Sequence, residues 1–457
     1  MSGRAYHTKE EILERGRMAI GIPIKEIDKT NRLNTGKGAI GSILEESWFG
    51  YSINSQSEAD FVEAGVELKV TPYIRTRKGI RAKERLVCNI INYMQEYKNT
   101  FYSSSFWKKC NTILLMSYEH IDGVSKGEYT IDEATLFSFP TEDLAIIERD
   151  WLTIMNKICN GKAHELSEGD TMYLGACTKG ATAASMRKQP YSPQLAKQRA
   201  YSLKQSYMTY VLNNYIFGNK ADEHIIKDPT LLRNYGFEEY IIQKIRPYIG
   251  RTQYSLLQDF GLKTTAKNVN ELILSRILGL QGKVTNTEEF QKANIVPKTI
   301  RVNVDGSINE NMSFPAFDFK KIVSEEWSSS EFKDMLEQTK FLFVVFRFSE
   351  DGVLIFDDLI FWNIPEADLE EVRRVWERTV SILRNGVQLD TVGRITYNNL
   401  PKSSESRVAH VRPHAKNASD ISQLPDGRSM TKQSFWLNKT YIREQLDIYW
   451  NNNNRDK

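Results

Sequence analysis

The chain has 457 residues, more than one hydrophobic core usually organises, so two or three domains are expected. With 40% hydrophobic and 26% charged residues, and no apolar run near the roughly eighteen needed to span a bilayer, it describes an ordinary globular protein and excludes a membrane-spanning one. A net charge of +3 is compatible with a polyanionic partner but falls short of the basic signature of a dedicated nucleic-acid binder.

The charged opening MSGRAYHTKEEILERGR lacks the apolar core of a signal peptide, so a cytoplasmic location is expected. Residues 10–20 and 38–49 read as helices, while GVELKV, RLVCNIIN and NTILLMSY read as strands from their alternation or β-branched content. The first 215 residues are therefore mixed α/β. From about 220 to 285 short helical pieces such as EEYIIQKIRPYI and NVNELILSRILGL form a helical connector. Cys88, Cys110, Cys159 and Cys177 include no C-x-x-C pair, which points to reduced, buried thiols with neither a disulfide frame nor a zinc site.

Comparing the chain with itself reveals a long-period repeat. ADFVEAGVELK at 59–69 matches EEFQKANIVPK at 288–298, and the same offset carries NTILLMSYEHIDG onto KFLFVVFRFSEDG without a gap. FPTEDLAIIERDW matches IPEADLEEVRRVW, and AYSLKQSYM at 200–208 matches SFWLNKTYI at 434–442. Four blocks in one order imply two diverged copies of one domain: residues 1–218, a connector at 219–284, and residues 285–457.

In GVELKV, Val66, Leu68 and Val70 face one way and Glu67 and Lys69 the other. A turn at Ala64-Gly65 can fold Asp60 back beside that strand. Two carboxylates would suit Mg²⁺, and a lysine alongside completes a hydrolytic set. Taken alone, an acid-x-Lys pattern is equally an ordinary strand with a polar solvent face.

The stretch from Trp48-Phe49-Gly50 through Asp60-Phe61 to Gly65-Val66-Glu67-Leu68-Lys69 resembles the core of the MutH-like DNA endonuclease family. KERLVCNIINY and the two-copy layout are closer still to that family's GATC-cutting type II restriction enzymes. The resemblance spans the whole chain, including AHELSEG, CTKGA and KQRAYSLK in the first copy and HVRPH and MTKQSFW in the second. It implies a restriction-endonuclease-like fold with a mixed central sheet flanked by helices, Mg²⁺ as cofactor, and cleavage of double-stranded DNA on the 5′ side of G in GATC, leaving 5′-phosphate ends. It further implies Asp60 and Glu67 as metal-binding acids, Lys69 as the catalytic lysine and Lys109 as a second one. The family's upstream helical glutamate falls on Glu46 counting back from Trp48 and on Glu45 counting forward from Gly41, because this sequence has one extra residue there.

Gly36-Lys37-Gly38-Ala39-Ile40-Gly41 is formally a G-x-G-x-x-G, but no apolar strand precedes it, so it reads as a flexible helix entry with Lys37 near the DNA backbone. His410 and His414 lack further metal ligands, and Pro413 argues against a helix presenting both. The matching family segment is a DNA-reading loop, which makes Arg412 a candidate for bridging G O6 and N7. Lys179 in CTKGA and Lys416 in HVRPHAKN are further DNA-contact candidates. In KQRAYSLKQSY and TKQSFWLNKTY a helix with a core-facing aromatic stripe accounts for Tyr201, Phe435 and Tyr441, leaving Lys204 and Lys439 for phosphates.

In the gapless register Asp60 corresponds to Glu289 and Lys69 to Lys298, but Glu67 corresponds to Val296, with Pro297 beside it. The second copy is therefore expected to bind DNA without cutting it, as a specificity and effector module that lets one chain engage two GATC sites. Cutting two strands with one active site requires either a homodimer on the DNA or two successive nicks. The alternatives are a strand-specific GATC nickase of mismatch repair and a non-cutting DNA-binding regulator.

Overall fold

The computed structural model describes residues 6–454 except 37, 52–57, 77–78, 181–184, 219–222, 229–235, 264–267 and 394. The chain divides into two units, Met1–Gln243 with Leu278–Ile295, and Lys244–Ile277 with Val296–Lys457.

In the first unit β1 (Glu67–Thr76), β2 (Gly79–Ala82), β3 (Leu86–Ile90), β4 (Ile113–Glu119) and β5 (Glu133–Phe137) follow in chain order. β1 runs parallel to β4, with Glu67, Leu68 and Lys69 level with Ile113, Leu114 and Leu115. β2 and β5 add antiparallel edges, giving a mixed sheet of order β2-β1-β4-β5. The unbroken apolar run Ile113-Leu114-Leu115-Met116 is fully buried, as a strand covered on both faces requires. The helix Lys9–Arg17 packs on β4 and β5. It starts at a capping box between Thr8 and Glu11 and places Arg15 and Arg17 in its last turn. Gly16 is the point of closest approach, where a Cβ would lie 3.2 Å from a Leu114 methyl.

β6 (Leu174–Thr178), the hairpin of β7 (Met186–Gln189) and β8 (Ser192–Lys197), and β9 (Arg199–Leu203) complete the unit, with β3-β9-β6 forming a second sheet. The block KQRAYSLKQSY is thus not one helix: it is strand β9 followed by the helix Gln205–Tyr210. Tyr201 is a buried strand residue, and the alternation of a fully buried strand, apolar on both faces, was indistinguishable from a helical stripe.

The second unit contains β10 (Ile295–Val302), β11 (Met312–Ala316), β12 (Lys340–Phe348) and β13 (Leu354–Trp362). Then come β14 (Leu389–Val392), β15 (Ile395–Asn398), β16 (Ala409–Pro413), β17 (Ile421–Gln423), β18 (Ser429–Thr431) and β19 (Gln433–Leu437). Its two main sheets have orders β10-β12-β13 and β11-β19-β16. These match β1-β4-β5 and β3-β9-β6 strand for strand. Likewise the long helix Glu366–Asn385 matches Thr141–Cys159. Phe435, like its counterpart Tyr201, lies in a strand, whereas Tyr441 lies in the helix Lys439–Asn454.

The unit borders differ from 218/219 and 284/285. The segment expected as a connector is divided, with Lys244–Ile277 in the second unit and Leu278–Ile295 in the first. Among the contacts that hold this last segment to the first unit is Lys292, on the helix Glu288–Ala293 and 1% exposed. Its ammonium bonds the carboxylates of Asp143 and Glu288 and donates to Tyr215 Oη at 2.7 Å, 4.6 Å from the centre of the Tyr210 ring. Asp143 also accepts from Tyr207 Oη at 2.9 Å. In the second unit Tyr441 Oη donates to Asp368 at 2.8 Å, at the aligned positions, and the cation there is Arg407. Both copies hold one Tyr–Asp bond between the same two helices and complete it with a cation from different places.

Among the described residues no helix is long and apolar enough to cross a membrane. All four thiols are free, with Cys88, Cys110 and Cys177 buried and Cys159 exposed.

Removing the Lys292 ammonium would leave the Asp143 and Glu288 carboxylates buried without their cation. Lys292→Met is therefore expected to destabilise the first unit by about 3–5 kcal/mol in denaturant unfolding. A loss under about 1 kcal/mol would mean the triad contributes no more than an exposed pair.

Candidate active site

Asp60 and Glu67 meet through a tight reversal of the chain. Phe61 and Val66 exchange backbone hydrogen bonds of 2.9 and 3.2 Å, and Gly65 takes a φ of 64°, a left-handed turn that its missing side chain permits. The Phe61 ring anchors the turn among Tyr6, Phe49 and Tyr51 at centroid distances of 5.0–5.5 Å. The Asp60 N–H then donates to Glu67 Oε2 at 3.2 Å, and Asp60 Oδ2 accepts from the Leu68 N–H at 3.0 Å.

The strand face carrying Glu67 is not open to solvent. Glu67 is 1% exposed, and its Oε1 takes Lys69 Nζ at 2.7 Å and Lys109 Nζ at 3.5 Å. Lys109 is delivered by the helix Ser105–Cys110, whose N-terminus is capped by Ser104. Burial pushes the Glu67 carboxyl up to about 7; Lys69 opposes this and Asp60 adds to it. Burial also disfavours the Lys69 charge, yet the adjacent Glu67 carboxylate holds the ammonium above its ordinary range.

The upstream glutamates separate at a π-helical turn, Leu44–Phe49, that continues the helix Ala39–Ile43. A wider turn of this kind is able to accommodate one extra residue. Glu46 is drawn to Arg32, which donates from Nε at 2.5 Å and from Nη2 at 2.9 Å. Glu45 instead senses the site: burial and then the Asp60 charge push its carboxyl up to about 7, against Lys69 and Lys109. Of the two positions that the counting allowed, Glu45 is the one whose carboxyl feels the charges of the site, while Glu46 is paired with Arg32.

Among the described residues no three His, Cys, Asp or Glu side chains converge into a ready-made metal shell. Two carboxylates suffice for Mg²⁺, which keeps most of its waters. Asp60 Oδ1 makes no hydrogen bond among the described residues, so the oxygens present fit such an ion.

The chain also matches known proteins. The family model described as DNA mismatch repair enzyme MutH covers residues 49–150, which contain this whole site except Glu45. The type II restriction enzyme Sau3AI of Staphylococcus aureus is 40% identical over 97% of this chain and 99% of its own. The chain belongs to this MutH-like family of type II restriction endonucleases. Single-copy relatives match only part of it: the DNA mismatch repair protein MutH of Shewanella oneidensis is 27% identical over 46% of this chain and 95% of its own. A MutH from Shewanella baltica is 26% identical over the same share. As a family member the chain is a site-specific deoxyribonuclease with a mixed α/β endonuclease domain.

The remaining DNA-contact candidates lie in different settings. Lys204 is corrected: it is 1% exposed, with Nζ donating to the Thr171 carbonyl, and cannot reach a phosphate. Its counterpart Asn438 likewise donates to the Ser406 and Arg407 carbonyls. Lys179, Lys416 and Lys439 are exposed, and Lys37 lies outside the described residues. Arg412 is exposed on β16, a strand rather than a loop, with its guanidinium 4.9 Å from the Trp436 ring. His410 bonds Asn438 and His414 the Phe314 carbonyl, so each ring has a protein partner.

Glu67 ionises near 7 in the folded protein against an ordinary 4.5. Between those values the unfolded chain binds fewer protons, so the metal-free protein loses stability as pH rises from about 4.5 through 7. Glu67→Gln should flatten this loss in urea unfolding followed across that window. Parallel curves for the variant and its parent would refute the assignment.

Proposed function

We propose that the first copy hydrolyses both strands of DNA on the 5′ side of G at GATC, with Mg²⁺ as cofactor, in the cytoplasm. The convergence of Asp60, Glu67, Lys69 and Lys109 at one end of β1 carries this reading. The family relation to Sau3AI supports it. Asp60 and Glu67 would hold the ion, which would polarise the phosphorus centre when bound. Lys69, beside the two carboxylates, would orient the attacking water or meet charge building on the phosphate. Lys109 offsets the charge of the carboxylates, and Glu45 is the upstream acid that completes the site.

The second copy binds DNA as a specificity and effector module. Its position for Glu67 is Val296, which cannot hold an ion. Arg412, stacked on Trp436, is the candidate reader of guanine, while Lys179, Lys416, Lys439 and Lys37 are phosphate contacts. Two DNA contacts on one chain raise the effective concentration of a second GATC site. The two strands are cut either by a homodimer on the DNA or by successive nicks.

Plasmid carrying GATC, incubated with Mg²⁺, should yield linear fragments ending at GATC, and Glu67→Ala should lower the rate at least about 10²–10³-fold. Nicked circles alone would favour a strand-specific nickase, and binding without cleavage a regulator. Cleavage unaffected by Glu67→Ala would remove the site assignment.

Glu45→Gln should cost at least tenfold more cleavage rate than Glu46→Gln, measured at saturating Mg²⁺ with folding verified. The opposite order would return the role to Glu46.

A further inference from the structure

The second copy has dismantled its active site unevenly. In the gapless register the acid of Asp60 is Glu289, whose carboxylate accepts from the backbone N–H groups of Ile225 and Ile226 at 2.9–3.2 Å within the first unit. Glu67 has become Val296, and Lys109, extending the same register, has become the buried Gln338. Lys298 alone keeps its type, at the position of Lys69.

Lys69 and Lys298 then differ in one decisive respect. The ammonium of Lys69 rests on a carboxylate 2.7 Å away. Lys298 is half-buried on β10 and makes no hydrogen bond or ion pair among the described residues. Burial alone acts on it, holding its ammonium below the ordinary range, with no acid to oppose the effect. A partly desolvated cation without a counter-ion is costly, and a structural lysine would sooner reach water or an acid. Among the described residues nothing supplies the missing counter-charge.

We propose that Lys298 binds a backbone phosphodiester of DNA held by the second copy, at the place where the first copy presents its scissile phosphate to Lys69. This deepens, and rests on, the reading of the second copy as a DNA-binding module. A phosphodiester is the fitting anion because it brings a single negative charge to an amine. With Val296 and Pro297 in place of a metal-binding acid, the contact needs no ion and leads to no cleavage. The retired catalytic lysine thereby becomes an anchor that positions the duplex without reading its sequence.

The test uses the full chain carrying Glu67→Gln, so that DNA is bound and not cut. A GATC duplex is titrated by calorimetry at several salt concentrations, giving the number of duplexes per chain and the affinity of each step. The parent is expected to bind two duplexes. Lys298→Met should weaken one step about tenfold or more and reduce the salt slope of that step by about 0.9, with unfolding stability unchanged or raised. Lys298→Arg should restore most of both. Two steps with unaltered affinity and slope in Lys298→Met would overturn the inference while leaving the second copy a DNA binder. A single duplex per parent chain would instead overturn the module reading, and this inference with it.

Discussion

The carboxylate of Glu67 imposes the constraint on which the first copy is built. A buried carboxylate is tolerated only when charge and hydrogen bonds meet it, and here each donor arrives on a different piece of the fold. Lys69 comes from the same strand two residues on, Lys109 from a capped helix beside the parallel partner strand, and the Asp60 N–H from a glycine turn pinned by four aromatic rings. Even so, burial dominates and pushes the carboxyl up to about 7. On the proposed reading, a metal ion would add the positive charge that two lysines only partly provide.

Much of this was legible in the sequence because it rests on periodicity and on repetition. The alternation in GVELKV, the apolar run NTILLMSY and the turn at Ala64-Gly65 reappear as β1, β4 and the reversal that returns Asp60. What escaped was geometry that residue types do not encode. A π-helical turn leaves Glu45 among the charges of the site and Glu46 on Arg32, and no propensity marks it. Lys204 looked free because KQRAYSLKQSY was read as a single helix. At the actual strand-to-helix junction its side chain turns inward to the Thr171 carbonyl. The Tyr–Asp bond, by contrast, was present in the repeat all along, since Asp143 aligns with Asp368 and Tyr207 with Tyr441.

Divergence of the two copies shows which interactions are structural and which are chemical. The Tyr–Asp bond persists in both because it joins the same helix to the same C-terminal element, and each copy found its own cation for it. Glu67 did not persist, its place being taken by Val296, and Glu289, aligned with Asp60, accepts from backbone N–H groups within the first unit. In the second copy the packing persists where the acid-and-lysine set of the first does not.

The placement of Leu278–Ile295 with the first unit, while Lys244–Ile277 belongs to the second, means the polypeptide passes between units at three points, not one. A tandem duplication followed by simple drift would have left two cassettes separable at a single breakpoint. This chain has instead interleaved them, so no cut at a single point leaves both units whole. The ribosome must deliver Lys292, roughly 150 residues after Asp143, before the first unit can close around its buried aspartate.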